Sequence, residues 1–181
     1  MLSGLMEMRR APFDRYFFSP DEKEDSAFMI LDSVLPNFAP LPEEGFSQFD
    51  ERAEFQHVLV GYPASSTRGS MRERHRIEIM GYLTSAARAQ EYANLQADSA
   101  RQLVVLFKKW KGFGKNRVRV TFPDPYGMSG GAVLQFHEKA RRTQSLVGIM
   151  TDWRGGAIIA SRIENITKRF RGLMHSASAG W

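Results

Sequence analysis

The sequence predicts a mainly β protein, built as a sandwich or a barrel. Three observations carry this. Short segments alternate apolar and polar residues with a period of two, glycine, proline and charged clusters separate them, and strands do not alternate regularly with helices as βαβ units require. The clearest alternations are HRIEIMGYL (75–83), with Ile77 and Ile79 opposite Arg76 and Glu78, and RVRVTF (117–122), with Val118, Val120 and Phe122 opposite Arg117, Arg119 and Thr121.

FQHVLVGY (55–62), RQLVVLF (101–107), GAVLQF (131–136), SLVGIM (145–150) and AIIASRI (157–163) are short, apolar and rich in β-branched residues, so they are expected as further strands. HEKARRTQ (137–144) and DWRGG (152–156) read as polar connectors between them. Two stretches read as helical. SAARAQEYANLQ (85–96) is rich in helix formers, and ENITKRFRGLM (164–174) sets Ile166, Phe170 and Leu173 at helical spacing, as a docking C-terminal helix would. Residues 33–52 combine three prolines with acidic residues and read as a linker, which places a domain boundary near residue 45.

Composition narrows the chemistry. The 181 residues suit one large domain or two small ones, and 43% hydrophobic content is that of a globular chain. The absence of cysteine removes disulfides, thiolate metal sites and thiol nucleophiles, and fits a reducing compartment. No apolar run approaches the roughly 20 residues that span a bilayer. MLSGLMEMRRAPF (1–13) has no charged-then-apolar order, so neither a signal peptide nor a membrane contact is expected, and the cytoplasm is the expected location. A net charge of +5 suits solubility or a loose polyanion contact.

PDPYGMSGGAV (123–133) carries the sharpest chemical signal. GMSGG matches G-x-S-x-G, yet the α/β-hydrolase elbow needs a buried strand before its serine and a helix after it. Two prolines precede Ser129 and the strand-like GGAVLQF follows, so that reading fails. The order loop, serine, strand is the one chymotrypsin-type serine peptidases use, and the chain resembles them. GMSGGAV followed by SLVGIMTDWRGGAIIASRI is similar to their nucleophile loop and the strands after it. With HVLVGYPAS upstream, it looks like the trypsin-like peptidases of bacterial genomes, over roughly residues 20–165.

That resemblance implies a double β-barrel with peptide or protein substrates and no cofactor or metal. Residues 1–45 would be a remnant of the first barrel, and 46–181 the second barrel with a C-terminal helix. Acyl transfer needs an exposed hydroxyl and two backbone N–H groups directed at the oxyanion. Ser129 is the candidate nucleophile, and the N–H groups of Gly127 and Ser129 are the candidate oxyanion donors. The competing reading is a tight glycine-rich hairpin without chemistry.

The family's orienting carboxylate opens an apolar strand, which in EDSAFMILD (24–32) points to Asp25. Its histidine comes earlier, but residues 1–24 contain none; His57, His75, His137 and His175 all follow Asp25 and read as strand or surface residues. His57 alternates with Phe55 and Leu59 on a core or interface face. The chain as given is therefore expected to lack most of the first barrel together with the general base, and to be inefficient as a protease.

The resemblance also places a specificity pocket along PDPYGM (123–128) and GIMTDWRGG (148–156), with Pro123, Thr151, Asp152 and Trp153 as its candidate residues. The position six before the nucleophile is Pro123 and not an acid, so a preference for Lys or Arg is not implied. KKWKGFGKNRVR (108–119) interleaves six basic residues with Trp110 and Phe113. A solvated hairpin tip and a single-stranded nucleic-acid contact both fit that pattern. A non-catalytic module binding peptide or nucleic acid is the alternative to a peptidase.

Overall fold

A computed structural model describes residues 13–18, 27–31, 45–52, 55–64, 80–113, 119–137 and 144–178. The chain divides into two compact units, 1–41 and 42–181, so the division falls inside the proline-rich stretch. In the first unit β1 (Phe13–Phe18) and β2 (Ala27–Leu31) form an antiparallel pair, from Phe13 opposite Leu31 to Phe18 opposite Ala27.

The second unit is mainly β. Its strands are β3 (Phe55–Gly61), β4 (Met80–Thr84), β5 (Gln102–Leu106), the short β6 (Gly112–Phe113) and β7 (Arg119–Val120), β8 (Ala132–His137), β9 (Gln144–Arg154) and β10 (Ala157–Arg162). Helix α1 (Ala89–Leu95) lies between β4 and β5, and α2 (Ile163–Ser178) ends the described chain. Six strands make one antiparallel sheet in the order β4-β3-β8-β9-β10-β5, curled into a half-barrel. The chain leaving β4 meets β5 at one end. Ser85 O accepts from Leu106 N–H at 3.0 Å, Ala87 N–H donates to Val104 O at 2.9 Å, and the Thr84 hydroxyl donates to Leu106 O.

Two bulges in β9 help the sheet to curl, because an extra residue bends a strand and increases its twist. Val147 is extra opposite the Val133–Leu134 step of β8, and Thr151 is extra opposite the Ile159–Ala160 step of β10. Thr151 Oγ1 donates to Ile159 O at 3.2 Å across the second bulge.

The concave side buries Leu59, Tyr82, Leu103, Val105, Val133, Val147, Ile158 and Ala160 in one core. Each fully buried Leu or Val contributes roughly 1.5–3 kcal/mol relative to exposure. The convex side of β5 and β10 is covered as well, by Ala87 and Tyr92 over Val104, Ala157 and Ile159. Burial on both faces explains why these two strands read as nearly unbroken apolar runs. Tyr92 also fastens α1 to β5, its hydroxyl accepting from Val104 N–H at 3.0 Å.

Several elements differ from the expected bounds. The helix expected over 85–96 is confined to Ala89–Leu95, because 85–87 pair with β5. Its first turn is closed by the Glu91 carboxylate, which accepts from Arg88 N–H at 2.9 Å, and it ends at Gln96 in the left-handed region, φ 54°. DWRGG is not a loop: 152–154 continue β9, and Gly155 and Gly156 alone make the hairpin turn to β10. Of the strand expected over 75–83, Ile77 and Ile79 lie outside the described residues and the observed strand runs Met80–Thr84. Of that expected over 117–122, residues 117 and 118 lie outside the described residues, Arg119–Val120 is strand, and 121–122 are not.

Helix α2 packs on β9 and β10, with Ile163 buried and Asn165 Nδ2 donating to Ala100 O at 2.9 Å. Among the described residues no helix is long and apolar enough to cross a membrane.

Candidate functional site

The segment from Phe122 to Gly131 is laid down by its own turns. Phe122 is buried, with its ring edge-on to those of Tyr82 and Phe107, and its N–H donates to Lys109 O at 2.8 Å. From this anchor the chain makes two successive four-residue turns. Pro125 O accepts from Met128 N–H, and Met128 O accepts from Gly131 N–H, both at 2.9 Å. Gly127 (φ +85°) and Gly130 (φ +83°) each occupy the third position of a turn, where a type II turn demands positive φ. Ser129 is the second residue of the second turn, and its side chain is exposed.

The turns are docked on the half-barrel. Tyr126 O accepts from Ala64 N–H at 2.8 Å, just past β3. Gly130 N–H donates to Met150 O, and Met150 N–H to Gly131 O, both at 2.8 Å, which fastens the loop to β9. Met128 plugs the core at 2% exposure. A Cβ on Gly131 would stand 2.5 Å from Val60 O and 2.9 Å from Met128 O and would also strike Met150 Cε, so only glycine fits there.

This bonding leaves a pattern in the donors. The N–H groups of Met128, Gly130 and Gly131 are all satisfied by backbone oxygens. Among the described residues, those of Gly127 and Ser129 have no acceptor, and the Ser129 hydroxyl has no hydrogen-bond partner.

Both residues border a cleft of about 350 Å3. Its lining includes Pro125, Tyr126 and Met128 from the loop, and Met150, Thr151, Asp152, Trp153 and Ile158 from the β9–β10 hairpin. Three of the four residues expected to form the specificity pocket, Thr151, Asp152 and Trp153, thus stand beside Ser129; Pro123 is outside the lining. Tyr126 and Met150 fall within the two stretches expected to line the pocket; sequence reasoning does not find Ile158 here, although the alternation of β10 brings it to the concave side.

Acidic groups near the cleft are engaged. Asp152 Oδ1 accepts from Trp153 N–H at 2.7 Å and its Oδ2 lies 3.3 Å from Arg154 Nε. Asp124 pairs with Lys109 Nζ at 2.9 Å, which ties one cation of the 108–119 stretch to the loop. Trp110 in that stretch is 68% exposed.

His57 sits elsewhere. It pairs across the sheet with Gln135, three residues beyond the start of β8 at Ala132, so roughly 10 Å of strand separates it from the loop's end. Its ring is fully buried, 4.8 Å from that of Phe49. Gln135 Oε1 lies 3.2 Å from His57 Nε2 and also accepts from Asp50 N–H at 2.7 Å. A carboxamide oxygen only accepts, so Nε2 carries the hydrogen and Nδ1 presents a bare lone pair, without a partner among the described residues. Burial holds this imidazole below its ordinary pKa, against the opposing effects of Gln135, Asp50 and Glu51.

Asp25 and His75 lie outside the described residues. His137 ends β8, at the end away from Ser129, and His175 falls near the end of α2. Comparison with protein-family models and with curated proteins finds no match.

Proposed function

We propose that residues 42–181 are the second barrel of a chymotrypsin-like double-barrelled serine peptidase, with Ser129 as its acyl-transfer nucleophile. One observation supports this above the rest. In the stretch 127–131, the only two N–H groups left without an acceptor belong to Gly127 and to the serine itself, and both residues border the cleft. The central N–H groups of a β-turn are commonly left unbonded, so the weight falls on their position: both belong to residues that border the cleft, one of them the exposed serine itself. In acyl transfer, Ser129 Oγ adds to the carbonyl carbon of a peptide, and the electron pair displaced onto the carbonyl oxygen is received by those two N–H groups. Collapse of the tetrahedral species expels the amine, which departs with a proton.

The serine's own proton needs an acceptor, and His57 does not supply one. It is buried beside Gln135, well down the strand from the loop. A serine at its free pKa is a weak nucleophile, so the reading includes slow amide turnover by this chain alone. Asp25 remains the proposed orienting acid, from the sequence pattern.

A peptidyl boronic acid tests the reading without demanding turnover, since boron becomes tetrahedral when a serine oxygen adds to it. The expected result is a shift of the 11B resonance from the trigonal to the tetrahedral range with the native protein and none with Ser129→Ala. Binding with boron still trigonal in both proteins would replace the peptidase reading with a non-catalytic peptide-binding module. Rapid Ser129-dependent cleavage of a peptide amide would overturn the slow-turnover half of the proposal.

A further inference from the structure

The geometry points to an uncharged, apolar side chain as the recognition element of the ligand in the Ser129 cleft, and against Lys or Arg. This rests on the reading of Ser129 as the reacting centre only for the ligand's orientation; the cleft's chemistry stands without it. The hairpin side of the lining combines Thr151, Asp152 and Trp153 with Met150 and Ile158, the last two both 2% exposed and belonging to the same core as Val133 and Leu59. Above them stands Trp153, 40% exposed, its indole edge-on to Phe107 at 6.3 Å between ring centroids. That contact holds the indole in place before any ligand arrives, so little ordering cost falls on binding.

An apolar side chain entering here loses water and gains the indole face of Trp153 over a floor of thioether and sec-butyl groups, and each added methylene in such a site is worth about 10- to 200-fold in discrimination. A cationic side chain would need a carboxylate to offset its lost hydration. The lining offers one, Asp152, and both of its oxygens are taken, one by Trp153 N–H and one by Arg154. The guanidinium so placed adds a like charge against an incoming cation. Asp124, the other acid nearby in sequence, is paired with Lys109 and lies outside the lining.

The test uses peptidyl boronic acids identical except for the side chain next to boron: leucine, norleucine, phenylalanine, lysine and arginine analogues. Their affinities are measured by titration calorimetry on the native protein, Ser129→Ala, Trp153→Ala and Arg154→Ala. The apolar analogues are expected to bind at least 10-fold more tightly than the basic pair, in the native protein and in Ser129→Ala alike. Trp153→Ala should weaken the apolar analogues several-fold. Arg154→Ala, by freeing Asp152, should strengthen the basic analogues and narrow the gap.

Equal or tighter binding of the basic analogues by the native protein overturns the inference. So does indifference of all five to the side chain, or failure of all five to bind. If the apolar preference holds while the boron stays trigonal, the specificity stands and the peptidase reading fails; tetrahedral adducts with a basic preference give the reverse.

Discussion

Acidification should loosen this protein through one buried imidazole. His57 is fully buried, one nitrogen bonded to Gln135 and the other bare, and its folded pKa lies below the ordinary 6.5 because burial disfavours the cation. In the unfolded chain the same imidazole titrates near 6.5. Above that pH it is neutral in both states and contributes nothing to the pH dependence. Below it the unfolded state takes up the proton and the folded state does not, so stability falls as pH falls, until the depressed folded pKa is reached. The loss from pH 7.5 to 5.5 is bounded by the case in which the folded state never takes up the proton, about 1.4 kcal/mol, and is smaller the less the folded pKa is depressed.

Asp50 and Glu51 draw the pKa upward, but burial outweighs them. The reference is His57→Phe, which keeps an aromatic ring beside Phe49 and leaves Gln135 Oε1 its bond from Asp50 N–H. Urea denaturation of both proteins at pH 7.5, 6.5 and 5.5 gives two curves, and other titrating groups cancel in their difference. The native protein is expected to lose more than the variant over this range, by up to about 1.4 kcal/mol. Parallel curves, or an NMR titration of His57 at or above pH 6.5, would refute the reasoning.

Two further substitutions probe the scaffold of the site. Gly131→Ala drives a methyl against Val60 O and Met128 O, neither of which belongs to a flexible side-chain end, so a loss of about 1–3 kcal/mol is expected in chemical denaturation. Tyr92→Phe removes the acceptor of the Val104 N–H while keeping the ring, and should cost about 1–2 kcal/mol, with faster amide exchange at Val104 as the local signature.

The strands that carry the site are legible because their patterns are short-range. Phe55–Gly61 buries His57 and Leu59 on one face, as period two requires, and His57 lies on the core side that this spacing predicts. The turn after Ser129 is equally local: a serine followed by two glycines and a β-branched run leaves few other ways to proceed. Bounds fail where a partner strand decides them. SAAR has helical propensity, yet 85–87 are drawn into pairing with β5, and only the rest of the segment stays helical. DWR reads as polar loop because three exposed residues in a row obscure alternation, and its strand character comes from pairing with Ala157–Ile159. The pair Phe13–Phe18 and Ala27–Leu31 is half hidden for a related reason, since FDRYFF keeps no clean alternation and becomes a strand by pairing with AFMIL.

The glycines around Ser129 also have causes that spacing alone does not distinguish. Gly130 answers to its backbone dihedral alone, Gly127 to its dihedral and to Ala64, whose Cβ and N would stand 2.8 and 3.0 Å from an added Cβ, and Gly131 to the oxygens of Val60 and Met128 packed against it. The first two place the loop's donors, and the third seats the loop on β3 and β9. A substitution at Gly131 is felt as stability, because the clash is with the sheet. One at Gly127 is felt both as stability, through its contact with Ala64 and its positive φ, and at the cleft, which the residue borders. Open donors at the centre of a turn accompany any such loop, and here both belong to residues that border the cleft. Their coincidence with an exposed serine at the mouth of an apolar cleft is what favours catalysis by acyl transfer over a bare connection.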